Sequence, residues 1–185
     1  NNANMEIINP FHEKKVIGNN AESIVEFLIN SMPNWKCMKF GVENHIENLK
    51  ETIRKEINPI TKKIKSMPDF VAFNTKTGKT FFIEAKYRSN TTEKGRYVFG
   101  YKRLEEYKEH WKGTRLIIVR PSEPHFVYVD LEKIEHKMKK SEEVNSNEWR
   151  DYWDFENVKQ DIKELFPDLS DEIIKKASEI MFPRK

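Results

Sequence analysis

The chain has 185 residues, 37% hydrophobic and 34% charged, with a formal net charge of +3. That is long enough for one domain with a proper core, and no apolar run approaches the roughly 20 residues a membrane span requires. A single cysteine, Cys37, excludes an internal disulfide framework and a cysteine-rich zinc or iron–sulfur site, and no secretory signal is visible, so the expected location is intracellular, in the cytoplasm.

Asn1, Asn2, Ala3 and Asn4 ahead of Met5 read as a cloning remnant, and residues 1–17 as an N-terminal segment. Asn19 or Asn20 can cap a first helix whose apolar positions are Ala21, Ile24, Val25, Leu28 and Ile29, ending near Ser31 before Pro33. Residues 35–42 alternate as a strand with Trp35, Cys37 and Met38 inward, and Cys37 packs there as a small apolar residue. A charged amphipathic helix over 45–57 places Ile46, Leu49, Ile53 and Ile57 at helical spacing; Asn58-Pro59 breaks it, and 61–66 add Lys62, Lys63 and Lys65. A hairpin over 68–87 follows. Tyr101, Leu104, Tyr107 and Trp111 then form one stripe of a helix over 100–111, ended by Gly113. Residues 116–119 and 126–129 read as buried strands separated by Pro121 and Pro124.

The resulting fold class is α/β: a mixed central sheet flanked by helices over 18–136, including a lysine-rich helical insertion at 43–66. Residues 137–185 form a helical C-terminal appendage. Trp149, Tyr152, Trp153 and Phe155 would precede a helix over 156–166, with Ser170 capping a last helix over 171–181. The aromatic residues there would dock onto the core or onto a partner chain.

The hairpin carries the chemistry. Met67-Pro68-Asp69-Phe70-Val71-Ala72-Phe73 and Phe81-Phe82-Ile83-Glu84-Ala85-Lys86 are apolar runs, yet each holds a carboxylate where a hydrophobic residue would ordinarily sit. Alternation sends Glu84 and Lys86 to one face and Ala85 to the other. If Thr75, Lys76, Thr77 and Gly78 form a four-residue loop, Asn74 pairs with Lys79 and the same register sets Asp69 opposite Glu84. Directly opposed residues have Cβ atoms roughly 5 Å apart, close enough for both carboxylates to share one cation. A three-residue loop would slip the register by one and put the acids on opposite faces. A buried acid requires compensation, and two acids with an ammonium suggest a divalent cation.

Pro-Asp, a hairpin and Glu-x-Lys together resemble the signature of the PD-(D/E)-x-K nuclease superfamily. Other Glu-x-Lys triplets occur at Glu13-Lys14-Lys15, Glu106-Tyr107-Lys108 and Glu135-His136-Lys137, but none lies in an apolar run shortly after a Pro-Asp. The segment Gly18-Asn19-Asn20-Ala21-Glu22 resembles the start of the first helix in archaeal Holliday-junction resolvases, and Tyr97-Val98 with the following helix and strand continues that likeness to about Val129. Residues 43–66 depart from it, as a DNA clamp or as an element that reshapes the substrate. Arg103 and Tyr107 have the spacing of a Gln-x-x-x-Tyr motif found in RecB-like relatives, with Arg in place of Gln.

The resemblance implies a restriction-endonuclease-like core and magnesium- or manganese-dependent hydrolysis of phosphodiester bonds. Its catalytic set would be Glu22, Asp69, Glu84 and Lys86, with Glu26 as the alternative to Glu22. The metal ligands would be Asp69, Glu84, the Ala85 backbone carbonyl and Glu22, and Lys86 would orient the attacking water. Glu22 also has an ordinary reading, as an acid favourably placed in the first turn of a helix.

Charge supports a polyanionic partner. Residues 141–185 hold 12 acids against 7 Lys or Arg, leaving 18 acids against 26 basic residues elsewhere; 86–120 alone has 10 basic residues and 4 acids. Lys62, Lys63, Lys65, Arg88, Lys102 and Arg103 are the candidate nucleic-acid contacts. Expected partners are DNA, with RNA left open, and a second copy of the chain as a homodimer; no membrane is expected. A structure-specific endonuclease, a sequence-specific restriction-type enzyme and a non-cleaving DNA-binding module remain open at this point.

Overall fold

The computed structural model describes residues 10–41, 51, 53, 55–88, 96–99, 101–133, 138–140, 149–154 and 158–183. Helix α1 (Pro10–Asn30) leads into β1 (Trp35–Lys39); α2 (Pro59–Lys65) precedes the hairpin of β2 (Phe70–Asn74) and β3 (Thr80–Tyr87). Strand β4 (Arg96–Phe99) and α3 (Tyr101–His110) lead to β5 (Thr114–Val119) and β6 (Phe126–Asp130). Strands β7 (Met138–Lys140), β8 (Trp149–Asp154) and β9 (Gln160–Asp161), then α4 (Ile162–Leu165) and α5 (Asp171–Met181), complete the order. Six strands form a mixed sheet in the order β1-β2-β3-β5-β6-β9, with β3 and β5 its parallel pair. The connection between those two carries α3, as a parallel crossover requires. This is the expected α/β class with a mixed sheet flanked by helices.

Alternation divides the sheet into two faces. Ile83 and Ala85 of β3, Phe70 and Ala72 of β2, Ile117 and Val119 of β5 and Phe126 and Tyr128 of β6 form one core with α1 (Ala21, Ile24, Val25, Leu28, Ile29) and α5 (Ala177). Trp35, 2% exposed, anchors it, meeting Phe166 edge-on at 4.9 Å and stacking on Phe81 at 6.0 Å. Leu116, Ile118, Val127 and Val129 on the other face pack with Tyr107 of α3 and with Leu131. The β3 residues facing that way are Phe82, Glu84 and Lys86.

Several expected features differ. Helix α1 does not begin at Asn19 or Asn20 but runs from Pro10, whose fixed φ suits a first turn. Gly18 and the two asparagines each cost up to about 1 kcal/mol inside a helix, which a 21-residue element carries. Strand β1 ends at Lys39, short of the expected boundary, and Met38 points away from Trp35 and is 52% exposed, as period-two alternation dictates. Of the helix expected over 45–57, 45–50, 52 and 54 lie outside the described residues; Glu51 and Ile53 are helical, Ile53 is buried, and Ile57 is exposed rather than inward.

The C-terminal region is not a helical appendage. Trp149–Asp154 is a strand, its aromatic-rich sequence suiting extended backbone, and it sits between β4 and β7 in a separate three-stranded sheet. Gln160–Asp161 adds to the main sheet beside β6, so the helix expected over 156–166 is reduced to the one turn of α4, capped by Asp161 and followed by Pro167. Helix α5 begins at Asp171 with Ser170 as its cap, as expected, the Ser170 hydroxyl accepting from Ile173 N–H. Leu165, Phe166 and Leu169 are buried in the same core as Trp35. Phe155, Glu156 and Asn157 lie outside the described residues, as do 1–9 of the N-terminal segment. Among the described residues no helix is long and apolar enough to cross a membrane.

Because Phe166 is fully buried against Trp35, Phe166→Ala should cost about 3–5 kcal/mol, comparable to a core truncation in the central sheet. Urea unfolding measures this. An unchanged midpoint would mean that the C-terminal region is independent of the core.

Candidate functional site

The geometry of the site begins in the hairpin loop. Gly78 takes φ +74°, a conformation open to glycine, and its N–H donates to the Asn74 carbonyl at 2.8 Å. The Asn74 side chain accepts from Lys76 and Thr77 N–H at 2.9 Å each, and its own N–H reaches the Lys79 carbonyl at 2.8 Å. The loop therefore has the four residues that the carboxylate pairing requires. The ladder runs Phe73 with Thr80, Ala72 with Phe81, Val71 with Phe82 and Phe70 with Ile83. One step further, the same register sets Asp69 opposite Glu84.

At that step the backbone ladder gives way to side chains. Residues 79, 81 and 83 occupy the hydrogen-bonding side toward β2, and alternation aims Ala85 N–H and its carbonyl the same way. Past Phe70, the Asp69 carboxylate takes over: its Oδ2 accepts from Ala85 N–H at 2.8 Å. The Asp69 carbonyl accepts from Phe40 and Gly41 N–H at 2.8 and 3.2 Å, so the backbone at this acid is also pinned by the two residues that follow β1. Lys86 Nζ meets Glu84 Oε1 at 2.5 Å, with the Glu84 side chain 1% exposed and that of Lys86 31% exposed. The pair is thus a buried carboxylate under a partly solvated ammonium.

Electrostatics marks the same place. Burial pushes the Asp69 carboxyl up from 3.8 to about 8; Glu84 adds repulsion, Lys86 offsets part of it, Glu22 adds more, and the Ala85 N–H draws it slightly back. Glu22, half-buried in the middle of α1, therefore acts on Asp69 from a second element. Its ordinary reading as a first-turn acid does not apply, since α1 starts at Pro10. Glu26, one turn on, pairs instead with Lys39 at 3.7 Å. It also helps hold the Cys37 thiol at about 12, where burial is the main cause, so Cys37 is an inert packing residue.

Helix α2 has a local cap at its start and a long-range tie to this site at its end. Asn58 and Thr61 form a reciprocal capping box at its start, with Pro59 in the first turn. At its end the Trp111 Nε1–H donates to Ser66 Oγ at 3.0 Å. Trp111 meets Phe40 and Phe82 edge-on at 5.3 and 5.4 Å, and Phe40 stacks on Phe82 at 5.7 Å. Phe82 shares the Glu84 face, two residues away. The three aromatic rings thus bind β1, β3 and the α3 end to the segment Ser66-Met67-Pro68-Asp69. Trp111 was readable as part of an apolar helix stripe; its bond to Ser66, 45 positions away, has no local signal.

The candidate nucleic-acid contacts fall in three places. Lys62 and Lys63 are exposed on α2 and Lys65 is half-buried, with Lys63 Nζ over the Trp111 ring at 5.5 Å. Arg88 follows β3, donating from Nη1 to the Tyr87 carbonyl at 2.6 Å and from its backbone N–H to Val119. Lys102 and Arg103 lie in the first turn of α3, with side chains outside the description.

Among the described residues no group of three or more His, Cys, Asp or Glu side chains is arranged to hold a metal ion. Magnesium does not demand one: it is commonly held by one or two carboxylates, with waters and substrate phosphates completing an octahedron. Asp69, Glu84 and the Ala85 carbonyl fit that donor set, all oxygen and all at one end of one hairpin. No protein-family model matches the chain, and no curated protein matches it.

The raised Asp69 value has a definite sign. Between about 4 and 8 the folded protein holds a proton that the unfolded chain has released, so metal-free stability falls as pH rises through that window. Asp69→Asn should remove that part of the slope, measured by urea unfolding in chelator at pH 5 and pH 8. Equal slopes in parent and variant would contradict the assignment.

Proposed function

We propose that this protein is a divalent-metal-dependent endonuclease that hydrolyses phosphodiester bonds of DNA on a restriction-endonuclease-like core. The observation that carries this reading is the meeting of Asp69 and Glu84 at the end of one hairpin ladder, with Lys86 on Glu84 and Glu22 acting from α1. The parallel β3–β5 pair with its helical crossover supports the comparison with the PD-(D/E)-x-K superfamily and with junction resolvases.

Asp69, Glu84 and the Ala85 carbonyl would hold magnesium or manganese. Bound there, the metal supplies a Lewis acid for the scissile phosphate and lowers the pKa of coordinated water. The remaining roles belong to the chain. Lys86, anchored by Glu84 and partly open to solvent, presents N–H donors to the attacking water and to charge growing on the phosphate. Glu22 adds negative charge that favours cation uptake. The ring cluster of Phe40, Phe82 and Trp111 keeps the Glu84 face dry beside the acids and holds α2 in position. Lys62, Lys63, Lys65, Arg88, Lys102 and Arg103 supply charge for the sugar–phosphate backbone.

Asp69→Asn, Glu84→Ala and Lys86→Ala should each lower cleavage of linear, branched or supercoiled DNA by about 10²–10⁴, and Glu22→Ala by less. Magnesium should raise the melting temperature of the parent and of Lys86→Ala but not of Asp69→Asn. Normal folding with undiminished cutting by Asp69→Asn would place the chemistry elsewhere, and DNA binding without cleavage by the parent would make the protein a binding module.

Replacing Lys62, Lys63 and Lys65 together by Ala should reduce the salt dependence of DNA affinity by roughly two to three units of slope, about 0.9 per lost phosphate contact. Titrations at several salt concentrations measure the slope. An unchanged slope would remove α2 from the interface.

A further inference from the structure

The tip of α2 is apolar where solvent-facing structure is usually polar. Ile57 is 76% exposed and Ile60 70% exposed, and they flank Asn58-Pro59 at the start of the helix. The turn that presents them is closed by hydrogen bonds. Asn58 N–H donates to Thr61 Oγ1 at 2.9 Å, Thr61 N–H donates to Asn58 Oδ1 at 2.9 Å, and Thr61 Oγ1–H reaches back to the Glu56 carbonyl at 2.9 Å. Thr61 is itself buried, so this end of the helix is built into the protein. Two large aliphatic side chains are thus held in water on a firm turn, with exposed Lys62 and Lys63 directly behind them. The other end of α2 is tied to the candidate catalytic segment through Ser66 and Trp111.

Aliphatic residues backed by cations match a specific nucleic-acid chemistry. Proteins that open or kink a duplex insert Ile, Leu, Met, Phe or Pro between base pairs while basic side chains hold the adjacent phosphates. At 1.5 Å per residue, α2 sets Pro59 about 9 Å from Lys65, and the four further residues to Asp69 add at most about 14 Å. The wedge and the hydrolytic groups therefore lie within about seven base steps of about 3.4 Å of each other, on one short stretch of DNA.

We infer that Ile57 and Ile60 insert into a base step of duplex DNA near the scissile phosphate, while Lys62 and Lys63 bind the flanking backbone. This inference rests on the nuclease reading and narrows its substrate: DNA that unstacks easily, at a branch, a nick or a flexible pyrimidine–purine step, is preferred over stiff continuous duplex.

The test uses the full chain carrying Asp69→Asn, which holds DNA uncut, with duplexes bearing one 2-aminopurine at successive positions around the cut mapped with the parent. Insertion unstacks the reporter, so its fluorescence should rise at one step and not at the positions around it. Ile57→Ser with Ile60→Ser should abolish that rise without lowering the melting temperature, since both residues are exposed, while Ile57→Leu with Ile60→Leu retains it. In the parent background the double serine variant should lose the preference for a nicked over a continuous duplex. If the parent cuts DNA but no position brightens, or if the double serine variant still brightens it, the wedge is overturned and the nuclease reading stands. If the parent neither binds nor cuts DNA, both fall. A chain that sediments as a dimer, and as a monomer once both isoleucines become serine, would assign the patch to self-association and overturn the wedge.

Discussion

The bond from Ala85 N–H to the Asp69 carboxylate is the constraint on which the site turns. Up to Phe70 and Ile83 the β2–β3 ladder is held by backbone groups; at the next position a side chain replaces them. That substitution places an acid inside the sheet, facing a second acid across the hairpin, and it fixes which edge of β3 the Ala85 carbonyl leaves from. Shift the loop by one residue and the two carboxylates part to opposite faces. Gly78 and the Asn74 side chain, at the far end of the hairpin, therefore decide the chemistry available at Asp69.

The arrangement works against stability. Burial first, and then the neighbouring Glu84, push the Asp69 carboxyl up to about 8. Lys86, paired with Glu84, offsets only part of that rise. The surrounding packing holds the acids in place regardless: Trp111, Phe40 and Phe82 on the Glu84 face, and α1 with Trp35 and Phe166 beneath the other. A functional site that violates the burial rules needs a framework stronger than its own repulsion, and a cation would relieve what the framework sustains.

Much of this was legible in the sequence because its signals are local. The hairpin loop, the register, the shared face of Glu84 and Lys86, and the cap at Ser170 all follow from spacings of a few residues. The start of α1 was missed because Gly18 and two asparagines look like a boundary, and only the whole helix shows that they are carried through. The fate of Trp149–Asp154 was hidden for a different reason: its strand partner, Arg96–Phe99, lies more than fifty positions upstream, and nothing in either segment names the other. The Trp111–Ser66 bond is of the same kind, and with it the placement of α2 beside the acids. Exposure of Ile57 was likewise invisible, since helical spacing predicted the opposite.

Anomalous diffraction from crystals of the protein soaked in manganese tests the central claim most directly. A peak bonded to carboxylate oxygens of both Asp69 and Glu84, at the roughly 2.0–2.5 Å expected for a hard cation with oxygen ligands, is the predicted result. Manganese bound elsewhere with none between those two side chains, in crystals where both are ordered and ionised, would contradict it.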